Sequence, residues 1–564
     1  VNQTTDSFKI FAAWLAALFL TALGAQLWIV WLYGSPLPMW DQWYEASDFF
    51  KPWVTGHLKW TDFFAAHNEH RIFATRLLDV SLIWLNGRWE PLLQMAVNAF
   101  IHAAFACGLA FCLWDLLGRA NGWLVCCLLA PFFALPYAGE NATWGFNSQD
   151  YFVNIFALIA IVGLGFGKVG GWRWWIGLAA AILGLFSMAS GLLAPVAVGG
   201  LIVLRALKDR RLEKGNLIAL IVCVAVVVAG AMLKGTKEQD RAFQAHSFLE
   251  FTAALTRNLS WPFYNAPFMP CLIMIPLALL LAFYLRPKFP EPRAAEFLLV
   301  LALWSALQSV AMAYGRANYG GNIFPVSRYT DWFNVFVIAA VFAAVLLVQL
   351  QERNQFRNAL LALIFIGGIF CGVIHISPIV VNGLLAPTRM WNLAAEERVE
   401  RFLATGNEQD FLERPTVRPD PQLALAVLHD SRLQTILPVS CLPLSPTPKP
   451  GRLAGLTQWL LTHSFAILCA GLILFIGLCG YGLVRGGALG IPALGIPIMS
   501  LPGIFVLSTG LVALCVVWSN RSVTRESVEY DLQRQIAANF KAAGNLKRAA
   551  IHEQKAEQLK QFAN

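Results

Sequence analysis

Apolar runs of about 20 residues recur along this chain, the length an α-helix needs to cross a lipid bilayer. In lipid every backbone N–H and C=O must find a partner within the protein, so such runs restrict the chain to a bundle of membrane-spanning helices. Candidate spans stand at about 10–33, 91–114, 121–137, 151–167, 172–189, 191–205, 216–233, 269–285, 295–314, 332–350, 358–381, 457–484 and 497–518, about 13 in all. Only 13% of the residues are charged and 57% are apolar, where a soluble domain carries roughly 25% charge. The chain therefore reads as an all-α polytopic membrane protein. The first apolar segment is too long and too weakly flanked for a cleaved signal peptide, and is expected to be the first span.

The net charge of +9 is spread over short loops, as orientation signals and lipid-headgroup contacts are, and does not point to nucleic acid. The densest basic run, Arg205-Ala-Leu-Lys208-Asp-Arg210-Arg211-Leu-Glu-Lys214, marks a cytoplasmic loop by the positive-inside rule. Counting outward from it puts the N-terminus in the cytoplasm and the informative polar loops on the opposite face. These are Asp41–Arg71, Glu140–Asp150, Lys234–Asn265 and Tyr314–Tyr329. The same count puts the basic tail outside, whereas its charge favours the inside. The 11 Cys lie mostly inside apolar runs without metal-ligand spacing and read as small hydrophobes. Four regions follow: a transmembrane module over 1–381 with a first extracytoplasmic loop at 34–90, a small extracytoplasmic subdomain at 382–455, C-terminal spans over 456–518, and an amphipathic helical tail at 519–564. The subdomain shows no evident chemistry of its own.

The first loop is the densest polar stretch. It holds Asp41, Glu45, Asp48, Asp62, Glu69, His57, His67, His70 and Arg71, with Trp40, Trp43, Tyr44, Trp53 and Trp60 among them. Ionisable groups are costly near lipid, and where they gather there they mark a functional site; an ordinary solvated loop with aromatic interface anchors is the plainer reading. Trp60–Phe64 and Ile72–Trp84 are amphipathic and too polar to span, so they are expected to lie along the interface. The His67-Asn-Glu-His70 spacing can put two imidazoles on one helix face as metal ligands, or begin an interfacial helix; no third ligand accompanies them. No phosphate-binding glycine loop, His-Glu-x-x-His or Gly-x-Ser-x-Gly is present. His102 and Asp115 read as intra-helix and span-end polar groups.

Met39-Trp-Asp41-Gln-Trp just after the first span, the continuation Asp48…Pro52…Gly56…Asn68-Glu69, and Ser327-Arg328-Tyr329 before a late span resemble the GT-C superfamily of integral-membrane glycosyltransferases, which includes aminoarabinose transferases and protein O-mannosyltransferases. Gln42 follows Asp41, a departure from the adjacent acidic pair of the metal-dependent oligosaccharyltransferase branch. The resemblance implies a GT-C-like bundle, a lipid-phosphate-linked sugar donor and an essential acid at Asp41, with Glu69 the second candidate. Sugar transfer develops oxocarbenium character, which a carboxylate stabilises while it takes the acceptor proton. The leaving lipid phosphate calls for guanidinium or ammonium donors. Candidates for substrate contacts are His67, His70, Arg71, Glu140, Gln149, Lys234, Arg316, Arg328 and Tyr329. No metal ligand set is assigned and no cofactor is expected. Trp40, Trp43, Trp60 and Trp144 suit sugar stacking or interface anchoring alike.

The expected function is transfer of a sugar from a polyprenyl-phosphate donor to an extracytoplasmic glycan or lipid, with inversion, in a bacterial inner membrane. A transporter or flippase is the alternative, and would carry inverted repeats and mid-span ionisable groups. A polysaccharide polymerase or ligase shares the donor chemistry.

Overall fold

The computed structural model describes residues 2–116, 122–233, 238–263, 266–318, 326–350, 355–413, 420–443, 448–484 and parts of 530–563. Its helices in chain order are α1 (Asn2–Tyr33), α2 (Asp41–Glu45), α3 (Lys51–Val54), α4 (Phe73–Asn86), α5 (Pro91–Leu116), α6 (Gly122–Ala134), α7 (Gly139–Thr143), α8 (Ser148–Phe166) and α9 (Trp172–Leu185). There follow α10 (Leu193–Asp209), α11 (Lys214–Leu233), α12 (Phe248–Leu259), α13 (Met269–Tyr284), α14 (Pro292–Gly315), α15 (Thr330–Leu350) and α16 (Gln355–Val380). The last are α17 (Ala386–Thr405), α18 (Glu408–Glu413), α19 (Pro421–His429), α20 (Ala454–Thr462), α21 (Ser464–Val484) and α22 (Leu546–Ala563).

Among the described residues ten helical segments are long and apolar enough to cross a membrane, and two shorter apolar helices, α9 and α13, accompany them. Each candidate span up to 484 coincides with one of these; the candidate at 497–518 lies outside the described residues. The expected span at 457–484 is two helices, α20 and α21, meeting at His463.

Lipid tails are as apolar as leucine, so helices in a bilayer associate by close packing over small residues. Two such crossings organise the bundle. A Cβ on Gly163 of α8 would stand 2.5 Å from the Cα of Gly177 on α9, and one on Gly24 of α1 would stand 2.3 Å from the backbone N of Leu468 on α21. Only glycine allows either approach.

Helical order breaks where the bundle meets its polar loops. After α6 the chain runs through a 3-10 turn at Pro136–Ala138, the short α7 and a second 3-10 turn at Gly145–Asn147. Irregular backbone at this depth is tolerated where protein or a water-filled cavity surrounds it. Two π-helical turns, Ala46–Phe50 after α2 and Val381–Leu385 between α16 and α17, line one shared cavity.

The first loop and the segment over 382–455, expected to form a subdomain, share a hydrophobic core. Leu37, Trp43, Phe49, Phe50 and Trp89 pack with Val399, Phe402, Leu425, Leu428 and Cys441. The backbone N–H of Trp89 donates to the carbonyl of Ile436 (2.7 Å), and the Ser440 hydroxyl donates to the carbonyl of Pro36 (3.0 Å). Lys51 pairs with Asp430 at 2.7 Å, but Lys51 is half exposed, so this pair adds little beyond the apolar contact.

Candidate active site

The loop between α1 and α2 is held by its own polar side chains. The Gln42 Oε1 accepts from the N–H of Met39 (2.9 Å), while the indole N–H of Trp144 donates to the Met39 carbonyl (3.1 Å). Between these ties Trp40 adopts φ +50°, a conformation that a bulky side chain takes only under constraint from its surroundings. The strained residue delivers Asp41 to the first turn of α2, at the wall of a cavity of about 1060 Å³.

Every polar loop expected on one face reaches this cavity. Asp41, His67 and Glu69 come from the first loop, Glu140 and Trp144 from the stretch after α6, Phe243 from the segment before α12, and Arg316 and Arg328 from the ends of α14 and α15. The later subdomain supplies Thr388, Trp391, Asn392 and Ala395, so a segment expected to carry no chemistry forms one of the cavity walls.

Behind Asp41 stands a buried ionic row. The guanidinium of Arg76 on α4 grips Glu45 through two bonds, Nε to Oε2 at 2.9 Å and Nη2 to Oε1 at 2.8 Å. Its remaining Nη1 donates to the carbonyls of Asp62 and Ala65. Glu45 Oε1 also accepts from His67 Nδ1 at 2.8 Å, and His67 Nε2 faces Asp41 Oδ2 at 3.6 Å. Burial alone would push the Glu45 carboxyl up, but the bonds from Arg76 and His67 outweigh it and hold it down at about 2. For His67 burial favours the neutral ring, and the facing Asp41 and Glu45 carboxylates override it, lifting it to about 9.

His67 and His70 do not share a helix face as the spacing suggested. They exchange backbone hydrogen bonds (2.8 and 2.9 Å) across a two-residue turn in which Asn68 takes φ +52°, a conformation asparagine tolerates well. His70 points away from the cavity, and its Nδ1 accepts from the N–H of Ala189 at 3.1 Å. Burial, then the positive charges of Arg316, His67 and Arg328, lower it to about 4, so at neutral pH it is uncharged. That leaves its proton on Nε2, 3.5 Å from Glu69 Oε1.

Glu69 is ion-paired with Arg316. Burial opposes its ionisation, and the charges on His70 and Arg316 bring it to about 2. Because His70 is neutral above about pH 4, Arg316 keeps Glu69 ionised at neutral pH.

Of the residues expected at the site, Asp41, Glu69, His67, Glu140, Arg316 and Arg328 line the cavity. Arg328 lies near the rings of Trp144 (5.9 Å) and Tyr329 (5.1 Å), and its backbone N–H donates to Glu140 Oε2 at 3.1 Å. The other described candidates sit elsewhere. Arg71 donates to the carbonyls of Leu233 and Phe64, tying the loop to the end of α11. Gln149 and Tyr329 are buried in the bundle, and Lys234 lies outside the described residues. Trp40 and Trp144 line the cavity, Trp43 is buried in the loop core, and Trp60 is largely exposed beside Phe64 and Phe73. No group of three or more His, Cys, Asp or Glu suited to a metal ion occurs among the described residues.

No protein-family model, curated protein or solved structure matches this chain.

Reading single residues by type missed Glu45 and Arg76. The signal for Glu45 was available in its spacing, since Asp41 and Glu45 stand four apart and share one face of a helix. Arg76 and Asp79 interrupt the apolar face of α4, a costly placement that predicts buried partners. Asp79 is raised by burial and accepts a hydrogen bond from Gln94, which in turn accepts from Gln42 and from the indole of Trp89. Chemically, the cavity offers carboxylates, among them the partly exposed Asp41 at the end of the ionic row, together with the guanidinium groups of Arg316 and Arg328 and the aromatic faces of Trp40, Trp144 and Trp391.

Proposed function

We propose that the protein is an integral-membrane glycosyltransferase of the GT-C type, moving a sugar from a polyprenyl-phosphate donor to a glycan or lipid acceptor with inversion. The observation that carries this reading is the single cavity in which Asp41 stands with Arg328, Trp40, Trp144 and Trp391 at the end of a membrane-helix bundle. In the reaction the acceptor hydroxyl oxygen bonds to the anomeric carbon, and its proton passes to the Asp41 carboxylate. The bond from that carbon to the phosphate oxygen breaks, and the lipid phosphate leaves with the electron pair. Arg328 meets the charge developing on the phosphate. Arg316 is engaged by Glu69 and serves the phosphate only if that pair opens. Aromatic faces beside the carboxylate suit the apolar faces of a sugar ring. The proposal includes a bacterial inner membrane with the site on its outer side, and requires no metal.

The test is direct. Purified protein is given a panel of radiolabelled polyprenyl-phosphate-linked hexoses and pentoses, and the lipid that co-purifies is identified by mass spectrometry. Consumption of a donor that depends on Asp41 supports the reading; no consumption, with no polyprenyl lipid bound, removes it. The transporter alternative draws on the carboxylates Asp150 and Asp331, buried in the first turns of α8 and α15, with Asp150 Oδ1 lacking a hydrogen-bond partner. Uptake by sealed vesicles without donor consumption would favour it.

A further inference from the structure

The row Arg76–Glu45–His67 ends on Asp41, and its geometry differs from link to link. The first links are closed. Arg76 meets Glu45 through two bonds and is itself fixed by two backbone carbonyls, so its planar fork has no freedom left. Glu45 then fixes the His67 ring at Nδ1, and the ring of Phe146 lies 5.1 Å from the imidazole. The last link is open. His67 Nε2 is buried without a hydrogen-bond partner, and the Asp41 oxygen in front of it is 3.6 Å away, beyond hydrogen-bond length. Asp41 is the more exposed of the two, at 29% against 10%, so the carboxylate is the member able to turn. Catalytic hydrogen bonds are commonly long before substrate binds and tighten in the loaded complex.

We propose that His67 is the positioning residue for Asp41: Arg76 and Glu45 lock its ring, and its Nε2–H sets where the Asp41 carboxylate stands when substrate closes the last link. This rests on the transferase reading for the role of Asp41 as base. His67 is not the acid that protonates the leaving group. In an inverting displacement the base and the leaving oxygen lie on opposite faces of the reacting carbon, and groups 3.6 Å apart cannot serve both faces. The ionisable groups facing the ring are Asp41 and Glu45 from α2; Arg76 of α4 stands behind Glu45, and His70 of the turn, with Glu69, Arg316 and Arg328 around it, is the next charged cluster. With two carboxylates beside it the ring stays charged through neutral pH and loses its proton near 9.

The experiment follows the His67 ring nitrogens by NMR against pH, in the full-length protein in detergent, with His67→Gln used to assign the signals. Both nitrogens should stay protonated through neutral pH with a midpoint near 9. Asp41→Asn and Glu45→Gln should each lower that midpoint by about one unit or more, the usual worth of a neighbouring charge. A midpoint at the free-histidine value, or one that Asp41→Asn leaves in place, overturns the proposal. Asp41 is partly exposed, so this variant keeps the test alive should Glu45→Gln fail to fold. The second readout is turnover of whichever donor of the panel the wild type consumes. Its rate should fall above about pH 9, and Glu45→Gln should draw that limb down with the midpoint. A Glu45→Gln enzyme that is merely slower, with the limb unmoved, makes the row a scaffold and overturns the proposal. If the wild type consumes no donor while Asp41→Asn still moves the midpoint, the positioning of Asp41 by His67 stands and glycosyl transfer is removed as its reaction.

Discussion

In the proposed reaction Asp41 is the base because it stands at the open end of the ionic row, partly exposed at the cavity wall and 3.6 Å from His67 Nε2. Glu45 is committed to Arg76 and His67, and Glu69 to Arg316. Asp41→Asn keeps size but removes basicity, so turnover should drop on the order of 10²–10⁴-fold while donor binding persists. Separate measurement of kcat and donor Kd checks this. Glu69→Gln instead releases Arg316, and its main effect should fall on substrate affinity; a dead Glu69→Gln beside an active Asp41→Asn would reverse the two roles. Arg328→Ala should weaken donor binding and Arg328→Lys should restore only part of it, because an ammonium does not reproduce the guanidinium fork. Equilibrium binding of polyprenyl phosphate to the two variants decides that point. The ionic row also sets a pH window for stability. Glu45 is depressed to about 2, so its contribution is present above its ordinary value of 4.5 and is lost as pH falls towards 2. His67 is raised to about 9, so its contribution is full below 6.5 and is lost as pH rises through 9. The Tm of the solubilised protein should therefore fall on both sides of this range, and Arg76→Leu, which leaves Glu45 buried without its main partner, should cost about 3–5 kcal/mol. A Tm that is flat from pH 7 to above about 9 would contradict the charged His67.

At the scale of elements, the crossing of α8 with α9 rests on Gly163 against Gly177. The obstacle to any larger side chain there is backbone, which cannot swing aside. Gly163→Leu should force the helices apart and cost about 1–3 kcal/mol or more, the usual effect of overpacking; a thermal-shift assay in detergent measures it. The lengths and apolar character of these helices were legible in the sequence, as was the helical character of Trp60–Phe64 and of most of Ile72–Trp84, since both rest on local periodicity. The break at His463 and the two π-helical turns were not. Each depends on what packs against the helix, and local propensity does not report that.

The whole molecule brings chain segments hundreds of residues apart to one cavity. If the polar loops share one end of the bundle, single Cys residues placed beside Asp41, Glu140 and Arg328 should all react with an impermeant thiol reagent from the same side of the membrane. Cys placed beside Lys208 should be protected from it. Labelling of only one or two of the three loops would break up the site. The subdomain belongs to this scale too. Its contacts with the first loop are mostly apolar, so Phe402→Ala, which removes a large side chain from their shared core, should cost about 3–5 kcal/mol. Turnover should fall with it, since the same packing holds Trp391 and Asn392 at the cavity.

The sequence by itself determined that this chain is a bundle of apolar helices, because the bilayer enforces a length and a composition that can be read residue by residue. It also singled out the first loop, because charge is conspicuous where apolar residues are the rule. Only the tertiary structure decided which charges are partnered. Glu69 pairs with Arg316 across 247 residues and Glu45 with Arg76 across 31 within the first loop, and the difference between a committed carboxylate and an available one exists only once these segments have folded together. The subdomain's place on the cavity wall was hidden for the same reason: its residues face the site through packing with the first loop, and apolar packing carries no signature of its partner.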